Sequence, residues 1–426
     1  MKIAMISEHA SPLAALGGPD AGGQNVHVAS LAARLGAHGH AVQVYTRRDD
    51  PDLPERVPLA EGVEVVHVDA GPPRPLPKDD LLPFMGAFGT DLRRRWSGGA
   101  PTDPVPDVVH AHFWMSGIAG LQSGPPLGIP LVQTFHALGS VKRRHQGAQD
   151  TSPPERVARE RLLCRAVDRI VATCQDEVAE LVALGAAPER VEVVPCGVDV
   201  GRFRPAGPRR PARVPGAPLR LLSVGRLVER KGVETVVEAL VALPGTTLEV
   251  VGGPRAADLG GDPEARRLMA AADRFGVADR VHLRGGVDQD DVQDLMHAAD
   301  VVVCTPWYEP FGIVPLEAAA CGRPVVGSAV GGLLDSVVDG RTGLLVPPRD
   351  PAALAAALRR LQDDPALGER LGATARVRAE RLYDWSSVAA RTAAAYRGVL
   401  AEHDGATTGL GAGAAGLDTV RAVNDR

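Results

Sequence analysis

The 426-residue sequence is poor in several features, and each shortage argues against a class of protein. Its formal net charge is −5, so it lacks the basic balance that is typical of nucleic-acid-binding proteins. The five cysteines occur without a Cys-x-x-Cys pair, which argues against a disulfide framework and a zinc knuckle. We therefore expect buried free thiols and no nucleic-acid partner.

Two glycine signatures are also missing. Neither half of the chain has Gly-x-Gly-x-x-Gly after its first predicted strand, and no glycine-rich turn ends in Gly-Lys-Ser/Thr. These absences argue against a dinucleotide-binding dehydrogenase and a P-loop nucleotidase. The opening MKIAMISEHASP has one lysine and a short apolar run, so it resembles neither a signal peptide nor a membrane span. We expect a cytoplasmic protein.

Lysine is scarce among the 47 basic residues. The four lysines are Lys2, Lys78, Lys142 and Lys231. A lysine in such a chain marks a position where a compact ammonium suits the site better than a guanidinium. Basic runs at 92–96 and 141–146 could meet phosphate or anionic lipid, but runs of this kind are usually solvated surface. A membrane-surface contact is therefore not expected, and the sequence leaves a homo-oligomer open.

Short β-like runs alternate with helical patterns, as in KIAMIS, AVQVYT and DVVHAHF, which predicts an α/β fold with doubly wound parallel sheets. A proline-rich segment without periodicity predicts a linker, and the alternation then begins again. The predicted parts are a first domain (1–205), a linker (206–218), a second domain (219–382), a helix crossing back to the first domain (383–402) and a mobile Gly/Ala-rich tail (403–426).

Four glycines, Gly17, Gly18, Gly22 and Gly23, lie between the first predicted strand and a helix that begins near residue 24. A strand, a glycine-rich loop and a helix direct backbone N–H groups and the positive helix end at an anion. A plain turn has the same composition, so the pattern alone leaves both interpretations open.

The most informative segment is WYEPFGIVPLEAAACGRPVVGSAVGGLLDSV, residues 307–337. Glu309 and Glu317 lie eight residues apart, the first in a predicted loop and the second in a helix whose first turn suits Pro315. Both carboxylates are expected at the C-terminal edge of the strand before them, where open α/β sheets bind ligands. Alternatively, Glu317 complements a helix N-terminus.

These segments resemble the retaining glycosyltransferases of family 4. The resemblance extends from GGPDAGGQNVHV through DVVHAHF, QTFHALG, VVPCGVD, SVGRLVERKG and EPFGIVPLEAAACGRPVV to the C-terminal helix. It implies the GT-B fold, in which two Rossmann-like domains face each other across a cleft. Within the family, the chain is similar to the branch of the sucrose-phosphate synthases and the mycothiol-pathway inositol-phosphate glycosyltransferases.

The resemblance implies a UDP- or GDP-linked sugar donor and assigns residues to it. Arg226 and Lys231 would bind the diphosphate, since a guanidinium can clamp two phosphate oxygens beside an ammonium. Glu309 would bind a sugar hydroxyl and Glu317 the ribose. The implied donor set is Gly22, Gly23, Arg226, Lys231, Glu309, Phe311, Gly312, Ile313 and Glu317. The implied catalytic set is His136, Arg226, Lys231 and Glu309.

The acceptor-binding residues match those of the family less closely than the donor-binding residues do. In the inositol-phosphate branch, a lysine, a tyrosine, a threonine and an arginine hold the acceptor phosphate. Lys78 and Arg156 match two of these, and Asn25 matches another acceptor-side residue. Phe113 and Ala137 stand where the two hydroxyls would be, and each loss weakens phosphate binding by roughly 1 to 3 kcal/mol in a buried site. We therefore expect a small polar acceptor and leave open whether it is phosphorylated.

The resemblance assigns both glutamates to binding, so neither is left as a nucleophile for double displacement. We therefore expect front-face transfer with retention, without cofactor or metal. Asp288 and Asp290 form an Asp-x-Asp triplet, but they open a predicted helix, where aspartate is a favoured N-cap. The alternatives are a transferase for lipid-linked or natural-product acceptors, and a nucleotide-sugar epimerase of the same fold. A phosphorylase would need a pyridoxal-phosphate lysine, and the second half offers only Lys231.

Overall fold

The N-terminal half of the chain forms a sheet covered by helices on both faces, as the alternating pattern predicts. A computed structural model describes residues 1–14, 22–98, 100–207 and 213–409. Within these residues, the strands of the first sheet are β1 (Lys2–Ile6), β2 (Ala41–Arg47), β3 (Arg56–Ala60), β4 (Val63–Val68), β5 (Val108–His112), β6 (Leu131–Thr134), β7 (Arg169–Ala172) and β8 (Val191–Val193). The helices are α1 (Gly23–Ala37), α2 (Met85–Gly98), α3 (Trp114–Ser123), α4 (Gly139–Gln146), α5 (Arg156–Ala166) and α6 (Gln175–Leu184).

The first sheet is parallel except at one edge. Its strand order is β3-β4-β2-β1-β5-β6-β7-β8, and β3 pairs antiparallel with β4. The central strand β1 is buried on both faces, so Ile3 and Met5 pack on the α1 side while Ala4 and Ile6 pack on the opposite side. A strand covered by helices on both faces has a nearly continuous run of apolar residues, which explains the sequence KIAMI of β1.

The second sheet is entirely parallel, with the order β11-β10-β9-β12-β13-β14. Its strands are β9 (Arg220–Val224), β10 (Thr247–Val251), β11 (Val281–Gly285), β12 (Val301–Cys304), β13 (Val325–Ser328) and β14 (Gly343–Val346). The helices of this half are α7 (Val233–Ala239), α8 (Pro263–Arg274), α9 (Gln289–Ala298), α10 (Ile313–Ala320), α11 (Leu333–Ser336), α12 (Pro351–Asp363) and α13 (Pro365–Leu382). The two doubly wound parallel sheets confirm the predicted fold class.

The last described helix, α14 (Trp385–Gly409), packs on the first sheet rather than on the second. Trp385 and Tyr396 are buried there beside Ile3 and Val28. The Trp385 ring occupies the space that a side chain at Gly197 would need. The helix extends to Gly409. Residues 403–409, which were predicted to belong to a mobile tail, are therefore helical.

Parts of three predicted segments lie outside the described residues. These parts are Gly17 and Gly18 of the glycine loop, residues 208–212 of the predicted linker, and residues 410–426 of the predicted tail. Among the described helices, none is both long and apolar enough to cross a membrane.

We expect Trp385→Ala to destabilise the protein by about 3 to 5 kcal/mol, because it removes a large aromatic side chain from a core that only α14 completes. Chemical denaturation followed by fluorescence and circular dichroism would measure the loss. Val377→Ala, at a position that is 62% exposed on α13, is the control and should change stability by less than about 0.5 kcal/mol. Similar effects of the two substitutions would show that α14 is dispensable for the first sheet.

Candidate active site

Each sheet has a switch point, where consecutive connections leave in opposite directions and a crevice opens beyond the strand ends. In the first sheet this point lies between β1 and β5, so the flanking residues include His9 and Phe113. In the second sheet it lies between β9 and β12, so the flanking residues include Arg226 and Glu309. Open α/β sheets bind ligands at such points, which makes these two crevices the candidate site.

The two crevices face each other, because residues beside one contact residues beside the other. The rings of His136 and Phe311 lie 5.2 Å apart between centroids. The rings of His145 and Tyr308 stack at 4.8 Å, and Gln146 Nε2 donates to Tyr308 Oη at 2.9 Å. These contacts place the loop after β12 against the carboxyl edge of the first sheet.

A buried ion pair lies at the second switch point. Lys231 Nζ is 2.5 Å from Glu309 Oε2, and both side chains are largely buried. Burial alone would raise the pKa of Glu309, but the Lys231 ammonium outweighs burial and holds that pKa below its ordinary value. The backbone N–H of Trp307 donates to the carbonyl of Arg230 at 2.9 Å, which ties the loop carrying Glu309 to the turn carrying Lys231.

Arg226 follows Gly225 directly after β9, and it is exposed. The Lys231 side chain folds back toward Gly225, with Cε 3.6 Å from the place that a Cβ on Gly225 would occupy. The structure therefore brings the predicted guanidinium and ammonium to the same strand end.

Glu317 lies in α10 and lines a cavity of about 290 Å³ together with Asn25, Arg202 and Trp385. Burial raises the pKa of Glu317 to about 7, although the charge of Arg202 lowers it. Glu309 lines a different cavity of about 270 Å³ on the other side of the loop. Burial raises the pKa of the Cys304 thiol at the end of β12, and the charges of Glu309 and Glu317 add to that rise, so both carboxylates lie near the carboxyl end of this strand. They line separate cavities there, and their own pKa values shift in opposite directions.

The segment between the two glutamates is held by three glycines, of which Gly312 belongs to the implied donor set and Gly331 and Gly332 do not. Gly312 has φ +72° and precedes α10, and a Cβ there would lie 2.9 Å from Ser336 Oγ. The backbone N–H of Gly332 donates to the Glu309 carbonyl at 2.7 Å, and the place of a Cβ on Gly331 is filled by that same carbonyl. The Gly-Gly pair in SAVGGLL could have indicated a close backbone approach at this position.

The described end of the glycine loop contacts the opposite lobe. A Cβ on Gly23 would lie 3.2 Å from Ile313 Cδ1, with Phe311 next nearest. The N–H of Gly22 donates to Asn25 Oδ1 at 3.1 Å, and Asn25 Nδ2 donates to the Ser11 carbonyl at 3.0 Å. Asn25 therefore holds the loop to the first lobe with both polar atoms while it lines the Glu317 cavity.

His136 belongs to a group of buried imidazoles at the ends of β5 and β6. Its Nε2 lies 2.9 Å from His112 Nδ1, and its backbone has φ +62°. His110, two residues before His112 on the same strand face, is bonded through Nδ1 to Tyr396 Oη at 2.6 Å. Burial lowers the pKa of His136 well below its ordinary value and that of His110 to about 3. These imidazoles are therefore neutral at pH 7.

The sets of site residues implied by the sequence do not contain His110, His112 or His27. His-x-His in DVVHAHF was the available signal, because residues i and i+2 of a strand face the same side. His27 comes from α1, and its ring lies 5.1 Å from that of His136. Burial lowers the pKa of His27 to about 4.

One predicted acceptor residue, Arg156, contacts the loop 150–152, and the turn that carries Lys78 contacts the same loop. Arg156 is 2% exposed, and its Nε donates to Glu160 at 2.8 Å while Nη1 donates to Ser152 Oγ at 3.1 Å. Lys78 lies in a short 3-10 helix, Lys78–Asp80, whose Asp79 accepts from the Thr151 hydroxyl at 2.7 Å. Asp79, the neighbour of Lys78, and Arg156 therefore contact adjacent residues of one loop.

Lys142, which has no role in the site sets implied by the sequence, contacts the same loop. Its Nζ lies 2.9 Å from both Asp150 Oδ1 and Ser152 Oγ. The scarcity of lysine in the sequence could have identified Lys142 as a candidate. The Ser152 hydroxyl therefore bridges two cations, Lys142 and Arg156, and each cation is also paired with a carboxylate.

The two basic runs are largely engaged within the chain. In 141–146, Lys142 pairs with Asp150 and Arg144 with Glu180 at 2.7 Å. In 92–96, Arg95 pairs with Asp91 at 2.6 Å. Asp290, at the start of α9, pairs with Arg202 at 2.8 Å. No group of three or more metal-ligating side chains occurs in the part of the chain that the structure describes.

Two parallel sheets whose switch points face each other across a cleft define the GT-B fold, and comparison with known proteins identifies the family. The family model for "Glycosyltransferase Family 4" matches residues 21–202, and that for "Glycosyl transferases group 1" matches residues 209–378. The chain belongs to this glycosyltransferase family, and it is therefore an enzyme.

Named relatives lie close in sequence and fold. A D-inositol 3-phosphate glycosyltransferase of Streptomyces scabiei is 40% identical over 94% of this chain and 92% of that protein. One of Acidothermus cellulolyticus is 40% identical over 96% of this chain and 92% of its own length. The solved sucrose-phosphate synthase of Thermosynechococcus elongatus has a TM-score of 0.82 and 32% identity, covering 94% of this chain and 99% of that chain.

The buried carboxyl of Glu317 predicts a pH-dependent stability. Because its folded pKa of about 7 lies above the ordinary 4.5, the folded chain binds the proton more tightly, so stability falls as pH rises from about 4.5 to 7. We expect the free energy of unfolding of Glu317→Gln to decrease by about 3 kcal/mol less than that of wild type over this pH range, since each pKa unit corresponds to about 1.4 kcal/mol.

Urea unfolding of both proteins at half-unit steps from pH 5 to 8 would measure the difference. Glu155→Gln, at an exposed position in front of α5, serves as the control substitution. Parallel stability curves for wild type and Glu317→Gln would contradict the buried, protonated carboxyl.

Proposed function

We propose that this enzyme transfers a sugar, with retention and without a metal, from a nucleoside-diphosphate sugar to a hydroxyl of a small phosphorylated polyol. The observation that carries this proposal is the buried Lys231–Glu309 pair at the second switch point, opposite His136 and the acceptor-side cations. The named relatives, which are D-inositol 3-phosphate glycosyltransferases, support the acceptor class. A cytoplasmic location stays a prediction.

The donor diphosphate is proposed to lie against Arg226 and Lys231. A diphosphate supplies new negative charge to Lys231, so Glu309 can turn its carboxylate to a hydroxyl of the sugar. The backbone N–H groups of Phe311, Gly312 and Ile313 open α10, where the helix dipole also favours an anionic or hydroxyl oxygen. Gly22 and Gly23 would close on the diphosphate from the first lobe.

Glu317 is proposed to bind the ribose. Its cavity of about 290 Å³ lies between α1 and α10, next to the turn that carries Arg202. A carboxyl with a pKa near 7 is protonated in half of the molecules at neutral pH, so it can accept from one ribose hydroxyl and donate to another.

The reaction proposed is a front-face substitution. The acceptor hydroxyl attacks the anomeric carbon from the side on which the diphosphate leaves, and the departing phosphate oxygen takes its proton. Fixed cations and N–H groups that meet the growing phosphate charge are worth about 3 kcal/mol each. His136 lies beneath Phe311, so its contact with the transferred sugar requires the Phe311 ring to move aside as the donor enters.

The acceptor phosphate is proposed to bind near Lys78 and Arg156, with Asn25 on the acceptor side of the glycine loop. Lys142 adds a third cation to the same loop. The alternative of a lipid-linked or natural-product acceptor relied on the two basic runs, and the ion pairs of Arg95, Lys142 and Arg144 account for several of those charges.

We expect Arg226→Ala to lower the transfer rate by about 100-fold or more and to abolish thermal stabilisation by the cognate nucleoside diphosphate. In wild type, a nucleotide at about 100 times its Kd should stabilise by roughly 2.7 kcal/mol, with or without EDTA. Lys231→Ala should behave similarly, but it leaves Glu309 buried without its cation, so Arg226→Ala is the variant that preserves the fold.

A panel of UDP, GDP and ADP and their glucose and N-acetylglucosamine conjugates identifies the donor. Lys2→Ala, on an exposed lysine at the opposite edge of the first sheet, is the matched control. Equal stabilisation of wild type, Arg226→Ala and Lys231→Ala would rule out the clamp. Turnover of nucleotide sugar to a second nucleotide sugar without acceptor would indicate an epimerase.

We expect transfer to inositol 3-phosphate to exceed transfer to inositol in kcat/KM by about ten-fold, because a phosphate gains charge-assisted contacts with the cations. Lys78→Ala should remove most of this preference, whereas Arg143→Ala, on an exposed cation of α4, should keep it. Equal use of both acceptors by wild type would show that the phosphate is not recognised.

A further inference from the structure

The loop between β12 and α10 crosses the cleft, and neighbouring residues in it contact opposite lobes. Glu309 turns to Lys231 of its own lobe. Tyr308 contacts α4 of the first lobe, and the Thr173 hydroxyl, directly after β7, donates to the Pro310 carbonyl at 3.4 Å. The first lobe therefore contacts this loop on both sides of Glu309.

The Tyr308 side chain contacts both lobes. Its ring stacks on the His145 ring at 4.8 Å between centroids, with 24° between the ring planes. Its hydroxyl accepts from Gln146 Nε2 at 2.9 Å. The guanidinium carbon of Arg230 lies 5.3 Å from the centroid of the same tyrosine ring. One aromatic side chain therefore joins the last turn of α4 to the turn that carries Lys231.

Donor binding changes the restraints on this loop. In the structure, the Lys231 ammonium is the charged partner of Glu309. In the proposed donor complex, the diphosphate competes for that ammonium, so the carboxylate loses the interaction that fixes its position. The Phe311 ring must also leave His136 as the sugar enters. The contacts of Tyr308 with α4 involve neither the diphosphate nor the sugar, so they remain in that complex.

We propose that Tyr308 is a positioning residue for sugar transfer, because its contacts with α4 keep the Glu309 carboxylate at the sugar after the diphosphate has engaged Lys231. The inference rests on the proposed function and adds a residue to it. Tyr308 acts through Glu309 and moves no proton. Its hydroxyl contributes through Gln146, and its ring contributes through His145.

This role affects one part of the donor and spares another. A nucleoside diphosphate has no sugar for Glu309 to bind, so the loop contributes little to its affinity. A nucleotide sugar needs the carboxylate in place, and a displacement of about 1 Å costs on the order of 100-fold in rate. Loss of Tyr308 should therefore impair transfer of the sugar and leave binding of the diphosphate intact.

The first test compares binding of the nucleoside diphosphate that the stabilisation panel selects with turnover of its sugar conjugate at saturating inositol 3-phosphate. We expect Tyr308→Ala to keep the Kd of the nucleoside diphosphate within about two-fold of wild type and to lower kcat/KM for the nucleotide sugar by about ten- to thirty-fold. Equal losses in the two measurements would show a structural role alone and would overturn the inference.

Variants of the partners separate the two contacts of Tyr308. Tyr308→Phe and Gln146→Ala should each lower kcat/KM for the nucleotide sugar by about three- to five-fold, and the double variant should lose no more, because both substitutions remove the same hydrogen bond. His145→Ala removes the stacked ring, and His145→Phe should recover most of that loss. Gln149→Ala, at an exposed glutamine of the 3-10 turn Gly147–Gln149, is the matched control.

Hydrogen exchange followed by mass spectrometry gives a readout that needs no substrate. We expect the amides of residues 307–313 to exchange about three-fold faster in Tyr308→Ala than in wild type or Gln149→Ala, because the loop has lost its contact with α4. Unchanged exchange in Tyr308→Ala would overturn the inference, as would an unchanged kcat/KM. Wild type that binds no nucleotide of the panel would refute the proposed function instead, and the exchange rates would still decide whether Tyr308 holds the loop.

Discussion

The charge balance of the cleft depends on one ion pair, between Lys231 and Glu309. A lone carboxylate as deeply buried as Glu309 would take up a proton, and Glu317, which lacks a comparable partner, shows this effect in its pKa of about 7. The ammonium keeps Glu309 ionised and anchors the loop between β12 and α10. In the proposed donor site, an arriving diphosphate would compete for the same ammonium, and donor binding would then be coupled to the conformation of the loop through Lys231 Nζ.

The first lobe presents the opposite electrostatic character. His27, His110, His112 and His136 are buried, and each is neutral because burial lowers its pKa. Neutral imidazoles donate and accept hydrogen bonds without adding a charge that would compete with the cations of the second lobe for the diphosphate. The cleft therefore combines the charged Lys231–Glu309 pair of the second lobe with a cluster of uncharged imidazoles in the first lobe.

Local patterns in the sequence predicted the parts of the structure that depend on neighbouring residues. The alternation of strands and helices predicted both sheets, and the motif GRLVERKG contained the cation that pairs with Glu309. Contacts between distant segments were not predictable in this way. The stacking of His145 on Tyr308 and the bond from His110 to Tyr396 each join residues that only the folded chain brings together. The sequence also did not predict that Glu309 and Glu317 line separate cavities.

The position of α14 affects how the protein is made. The face of the first sheet that holds Ile3 and Val28 is completed by residues near the end of the chain, including Tyr396. On the ribosome, domains generally fold as units in the order of their synthesis. Here α14 can cover its part of the amino-terminal core only after the second half has been translated, so that core stays incomplete while the second half is made.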